Sequence, residues 1–215
     1  MLSFPAQPWQ SAKKVATLEN SRRSFAATIS SITPRLYLSG YMPASNAEQL
    51  TEQGITHVVS VLNLVPDIPP CIPDGHQLHI RVEDRGDEDI AAHFELAIKF
   101  IRSSLEENET NKVLVHCVMG VSRSATIVCA YLIATTGMNA IDSIEFVQTR
   151  RRIVCPNLGF RCQLELHAAK YGKAEVVAPV NWSKRVSSRL AGQFQSLKTS
   201  MARPSLEEVK GRTRS

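Results

Sequence analysis

Apolar residues between Ser31 and Tyr171 follow two rhythms in turn, one of strands and one of helices. Arg35–Gly40 (RLYLSG) alternates as a strand does. Ser45 and Glu48 form an S-x-x-E capping box and Gly54 is a suitable stop, which predicts a short helix between them. His57–Leu64 (HVVSVLNL) has the Val and Leu content of a buried strand. A loop with Pro66, Pro69, Pro70 and Pro73 follows, and Gln77–Val82 is again strand-like. Ile90, Phe94, Ala97, Ile98, Ile101 and Leu105 recur at helical spacing, predicting a helix from Asp89 to about Glu107. Val113–Val115 is a short apolar strand. Ser124–Thr136 is apolar almost all round and ends at Gly137, as a buried helix would. Ala140–Arg151 and Phe160–Tyr171 are two further amphipathic helices. Strands alternating with helices imply an α/β domain with one central sheet covered on both faces.

The periodicity changes after Tyr171. Trp182, Val186, Leu190, Phe194, Leu197 and Met201 fall within an arc of about 120° on a helix, with Lys184, Arg185, Arg189 and Lys198 outside it. An amphipathic helix over 181–201 is therefore expected. It would pack on the domain, dock a partner, or lie on an anionic membrane surface. The expected organisation is a basic extension over 1–29, a folded domain over 30–172 and a basic extension over 173–215.

Charge supports that division. The chain's net charge is +5, but residues 1–25 carry +3 and residues 176–215 carry +6, so the middle is −4. A basic chain whose folded part is mildly acidic is not expected to bind nucleic acid. No apolar run approaches the roughly 18 residues of a membrane span, and MLSFPAQPWQ lacks the apolar core of a secretory signal. A cytoplasmic or nuclear location, or both, is expected. The first 31 residues, rich in Ser, Ala, Lys and Arg with Glu19 as their single acid, leave a mitochondrial address as the alternative. The five cysteines (Cys71, Cys117, Cys129, Cys155 and Cys162) lack CxxC spacing, so no disulfide framework or zinc site is expected from them. Apart from Cys117 they are expected to be reduced and mostly buried.

Chemistry concentrates in Val113–Thr126, VLVHCVMGVSRSAT, which runs strand, loop, helix. A loop at a helix start aims backbone N–H groups at one spot, backed by the positive end of the helix dipole. A thiol at the edge of such an anion cradle, here Cys117, is expected to ionise more readily than an isolated cysteine. Arg123 adds a planar fork suited to two phosphate oxygens. Gly120 allows a tight turn and close approach to a ligand.

This stretch matches His-Cys-x5-Arg-Ser/Thr and resembles the phosphate loop of protein tyrosine phosphatases, most of all the small atypical dual-specificity phosphatases. The resemblance covers about Ile32 to Tyr171, including ITPRLYLSG, the VED segment at Asp84 and PNLGF at Pro156–Phe160. It implies a single central mixed sheet of about five strands flanked by helices. It also implies hydrolysis of phosphotyrosine and phosphoserine or phosphothreonine through a cysteinyl phosphate, with no metal or other cofactor. Cys117 would be the nucleophile, and Arg123 with Val118, Met119, Gly120, Val121 and Ser122 would hold the phosphoryl group. Ser124 would assist departure of the thiolate, His116 would orient and polarise the cysteine, and Asn157 would brace the site loops. For Asn157 a plain turn role after Pro156 is equally open.

The acid that protonates the leaving group has three candidates, Asp84, Asp87 and Asp89. The family's spacing to a helix aromatic, here Phe94, favours Asp84, with Asp87 next. Asp89 is better suited to cap the following helix. Loops that act on highly charged inositol lipids carry lysines, and Val118, Met119 and Val121 offer none, which favours protein substrates. A MAP kinase is one candidate among signalling proteins. Two rivals remain at this point: a catalytically weak module that binds phosphoproteins, and a phosphatase for a non-protein phosphomonoester.

Overall fold

The computed structural model describes residues 27–171. The expected helix over 181–201 and the first 26 residues lie outside them. In chain order the elements are β1 (Ser30–Thr33), β2 (Leu36–Ser39), α1 (Tyr41–Ala44), α2 (Ala47–Gln53), β3 (His57–Val61), β4 (Gln77–Ile80), α3 (Phe94–Glu107), β5 (Val113–His116), α4 (Arg123–Thr136), α5 (Ala140–Arg150) and α6 (Leu158–Ala169). The strands form one mixed sheet in the order β1-β2-β5-β3-β4. Only β1 runs antiparallel; β2, β5, β3 and β4 are parallel.

The middle strand is β5, with all four residues buried. Because side chains alternate across a strand, Leu114 faces one side and Val113 and Val115 the other. Leu114 joins Tyr37, Val58, Ala44, Leu50, Ile55 and Ile72 in a core beneath α1, α2 and the proline-rich loop. On the opposite face lies α4, whose Ile127, Val128, Leu132 and Ile133 are at most 1% exposed. Burial of that order contributes about 1.5–3 kcal/mol per side chain. That packing fixes where α4 begins, and with it the loop between β5 and α4. The parallel strands all point their carboxyl ends at that loop, where open α/β sheets bind ligands.

Four local expectations are corrected. The cap of α2 is Asn46, whose Oδ1 accepts from Gln49 N at 2.9 Å. Ser45 instead turns its hydroxyl back to the Tyr41 carbonyl and ends α1. The long helix after Asp89 starts only at Phe94, because a 3₁₀ turn over Ala91–His93 precedes it. Asp89 caps that turn, accepting from Ala92 N at 3.2 Å. The edge strand β1 was not expected, since three of its four residues (Ser30, Ser31 and Thr33) are small and polar. Finally, Cys71, Cys155 and Cys162 are exposed, while Cys117 and Cys129 are buried. Burial pushes the Cys129 thiol up to about 12. Among the described residues no single helix is long and apolar enough to cross a membrane.

Candidate active site

The loop from Cys117 to Ser122 leaves β5 with its polarity sorted by direction. Every carbonyl from Val118 to Ser122 is bonded within the protein. The Val118 carbonyl accepts from Tyr41 N, that of Val121 from Cys155 N and that of Ser122 from Thr126 N. The Met119 and Gly120 carbonyls both accept from Arg151, through Nη2 at 3.1 Å and Nε at 2.9 Å. Among the described residues, the N–H groups of Val118, Met119, Val121, Ser122 and Arg123 find no acceptor. Carbonyls bound within the fold and amides left over are the arrangement that receives an anion.

Gly120 makes the turn possible on two counts. Its φ is +65°, and a Cβ there would sit 2.4 Å from the Ser39 carbonyl oxygen. The loop thus lies directly on β2, closer than any side chain permits.

Cys117 is 1% exposed at the start of this loop. Its Sγ accepts from Gly120 N at 3.2 Å and from the Ser124 hydroxyl at 3.1 Å. His116, fully buried, is held by Ser60, with Nε2 and Oγ 2.7 Å apart. Burial lowers its pKa to about 4, against a smaller upward pull from the Cys117 backbone. Its Nδ1 makes no hydrogen bond of normal geometry.

Arg123 opens α4 and is buried. It donates from Nη1 to the Val82 carbonyl at a long 3.4 Å, and its Nε lies 3.7 Å from Asp84 Oδ2. That Nε has no hydrogen-bond acceptor among the described residues. A buried guanidinium donor left unsatisfied is costly unless a ligand meets it.

Asp84 faces Arg123 from the loop after β4. Its Oδ1 accepts from the Ser122 hydroxyl at 2.7 Å and from Asn157 Nδ2 at 3.0 Å. Asn157 N in turn donates to Ser122 Oγ at 3.2 Å, closing a three-residue ring of hydrogen bonds. Asn157 also caps α6, its Oδ1 accepting from Phe160 N at 2.9 Å. Asp87 points elsewhere. It pairs with exposed Arg85 at 2.6 Å, and that hydrogen bond holds its carboxyl below the usual range. Of the three candidate acids, Asp84 alone contacts the phosphate-loop residues.

Two anchors of this acid loop escaped the sequence reading. Gln163 accepts from Ala91 N and donates to the Glu88 carbonyl, both at 2.8 Å. Gly159 lets α6 touch the loop, since a Cβ there would be 1.8 Å from the Gly86 oxygen. Arg151 escaped it as well. Fully buried, it also donates to the Thr28 carbonyl and the Ser30 hydroxyl, both at 3.1 Å. Burial lowers its pKa to about 10, while nearby Cys117 pulls the other way. In sequence it is the middle of three arginines ending a helix, a pattern that signals solvent exposure.

Comparison with known proteins agrees with this geometry. Residues 36–170 match the family model for the dual specificity phosphatase catalytic domain. The tyrosine-protein phosphatase yvh1 of Schizosaccharomyces pombe is 33% identical over 139 residues, 65% of this chain and 41% of that protein. Mouse dual specificity protein phosphatase 22 is 36% identical over 64% of this chain and 72% of its own length. The crystal structure of human tyrosine phosphatase-like serine/threonine/tyrosine-interacting protein superposes with a TM-score of 0.61 at 33% identity, covering 66% of this chain and 97% of that one. This chain thus spans less than half of the yeast relative. The loop, the segment that carries Asp84 and the four parallel strands all fall within the matched residues, and the chain belongs to the dual-specificity phosphatase family.

Proposed function

We propose that this protein dephosphorylates phosphotyrosine and phosphoserine or phosphothreonine side chains through a phosphoryl-cysteine intermediate. The observation that carries the reading is the row of unbonded loop amides around Cys117, with the unsatisfied Nε of Arg123 beside it. A phosphoryl group placed there meets donors on its equatorial oxygens and sulphur in line with the leaving oxygen.

In the first step the Cys117 sulphur attacks phosphorus. The bond to the substrate oxygen breaks, and Asp84 gives that oxygen a proton. In the second, a water attacks the phosphoryl-cysteine while the Asp84 carboxylate takes its proton. The Ser124 hydroxyl, 3.1 Å from Sγ, stabilises the departing thiolate. His116 stays buried on Ser60 and positions the peptide that carries Cys117. Ser122, Asn157 and Arg123 hold Asp84 over the loop.

Phosphorylated signalling proteins are the substrate class, and a MAP kinase peptide belongs in the first panel. Hydrolysis of p-nitrophenyl phosphate and of phosphopeptides, with EDTA present, by wild type and Cys117→Ser tests the proposal. Turnover that survives chelation and disappears in the variant is expected. Phosphopeptide binding without turnover in the wild type would instead make this a phosphoprotein-binding module.

A further inference from the structure

The far end of the sheet carries a second cluster of polar side chains. His57 opens β3 and pairs with Val113, whereas Cys117 follows the last residue of β5, so the length of the strands separates the two sites. His76 closes a 3₁₀ turn, Asp74–His76, just before β4. Glu107 is the last residue of α3. One ligand atom from each of the three lies within 4.8 Å of the other two, and His57 Nε2 is 3.6 Å from Glu107 Oε2.

Thr56 holds both rings by their Nδ1 atoms. Its hydroxyl donates to the Lys112 carbonyl at 3.1 Å and accepts from Lys112 N at 3.0 Å. The same oxygen lies 2.9 Å from His57 Nδ1, which leaves Nε2 as the ring nitrogen that faces Glu107. The Thr56 carbonyl is 3.2 Å from His76 Nδ1 and can only accept. Each imidazole is thus held at its Nδ1, which leaves Nε2 as the atom available to a ligand. A ring nitrogen fixed by a second-shell acceptor while the other faces a carboxylate is how metal-binding histidines are oriented. Glu107 has such support too, since Asn111 Nδ2 donates to its Oε2 at 3.3 Å and to the Ser104 carbonyl at 2.9 Å.

We propose that His57, His76 and Glu107 form a structural site for a zinc-class divalent cation, tying the start of β3, the turn before β4 and the end of α3 together. Two imidazoles and one carboxylate are a borderline donor set that suits zinc and not the all-oxygen preference of calcium or magnesium. Tetrahedral ligation wants the donor atoms about 3.3 Å apart, for metal–ligand bonds of about 2.0–2.1 Å. Closing the cluster to that spacing takes only side-chain adjustments on its exposed side. Glu107 is 62% exposed and His76 sits half-buried in a three-residue turn, while His57 is fixed under its stacked neighbour, ring centroids 4.2 Å apart. The site is independent of phosphoryl transfer and stands whether or not the phosphatase reading does.

The test uses the full-length chain carrying Cys117→Ser, which removes the competing thiolate, stripped with EDTA and titrated with Co²⁺ and Zn²⁺. All six histidines lie within the described residues, so the tails add no imidazole ligand. The expected result is one equivalent bound, visible cobalt bands without a thiolate charge-transfer band, and a higher melting temperature. His76→Ala and Glu107→Gln each weaken binding at least about tenfold and remove the thermal gain. In the wild-type background both variants retain turnover in EDTA, which shows that they fold. Absence of bands and of a thermal shift, or unchanged affinity in the His76→Ala, Glu107→Gln double variant, would overturn the site.

Discussion

The two halves of the catalytic cleft are built differently. The phosphate loop is fastened from inside the fold: Arg151, fully buried, holds two of its carbonyls, and Gly120 rests on the backbone of β2. The acid loop is fastened at the surface, by neutral amide side chains of Asn157 and Gln163 and by the contact of Gly86 with Gly159. Asp84 keeps 38% of its side chain exposed, against 9% for Arg123. Charge stabilisation requires donors that do not reorganise, so that half is rigid. The half that carries Asp84, the proposed acid, is the more open one, as proton transfer to a leaving oxygen and from a water would require.

Substitutions on either side sharpen that contrast. Cys117→Ser has the largest expected effect, a loss of about 10⁴–10⁶ in kcat, read from p-nitrophenyl phosphate turnover. Asp84→Asn follows with a loss of roughly 10²–10⁴ in kcat, while Asp87→Asn stays close to wild type. The reverse order would move the acid to Asp87. Arg151→Met strands the Gly120, Met119 and Thr28 carbonyls, so urea unfolding should show a loss of about 3 kcal/mol. Because the loop shifts, kcat/KM should also fall by about 10². A variant that loses stability alone would reduce Arg151 to a packing residue. Asn157→Ala removes a helix cap and costs about 1 kcal/mol, with a smaller drop in kcat than Asp84→Asn.

The last prediction concerns pH. His116 has a folded pKa of about 4 against 6.5 for the free side chain, so the unfolded chain binds the proton more readily. Its contribution to stability is complete above about pH 6.5 and is lost as pH falls toward 4. At pH 5 urea unfolding should report about 2 kcal/mol less stability than at pH 7 from this group. A flat profile would mean that His116 is not held neutral in the fold.

What the sequence shows of this site follows from how local each feature is. The strand–loop–helix around Cys117 is contiguous, so spacing and residue type were enough to expose it, and the distance to Phe94 singled out Asp84, the carboxylate that contacts Ser122 and Arg123. Arg151 and Gln163 act across long stretches of chain, and nothing in their immediate neighbourhood distinguishes them from surface residues; Gly159 lies in the PNLGF segment, yet its contact with Gly86 is 73 residues away in sequence. Ser122 was read as a phosphate-loop position, yet its hydroxyl serves Asp84, 38 residues earlier. The sheet was legible wherever strands are buried on both faces. It failed at β1, an edge strand held mainly by backbone pairing with β2. The cap of α2 moved by one residue because Ser45 had a nearer carbonyl to bond, a competition that a pattern does not encode.

The central claim is that phosphate passes through the Cys117 sulphur. Rapid acid quench of the wild type turning over a phosphotyrosyl peptide, followed by mass spectrometry of the peptide containing Cys117, tests it most directly. The account predicts a transient gain of one phosphoryl group on that peptide, absent in Cys117→Ser. Phosphate release in the wild type with no such adduct, and with turnover retained by Cys117→Ser, would contradict it.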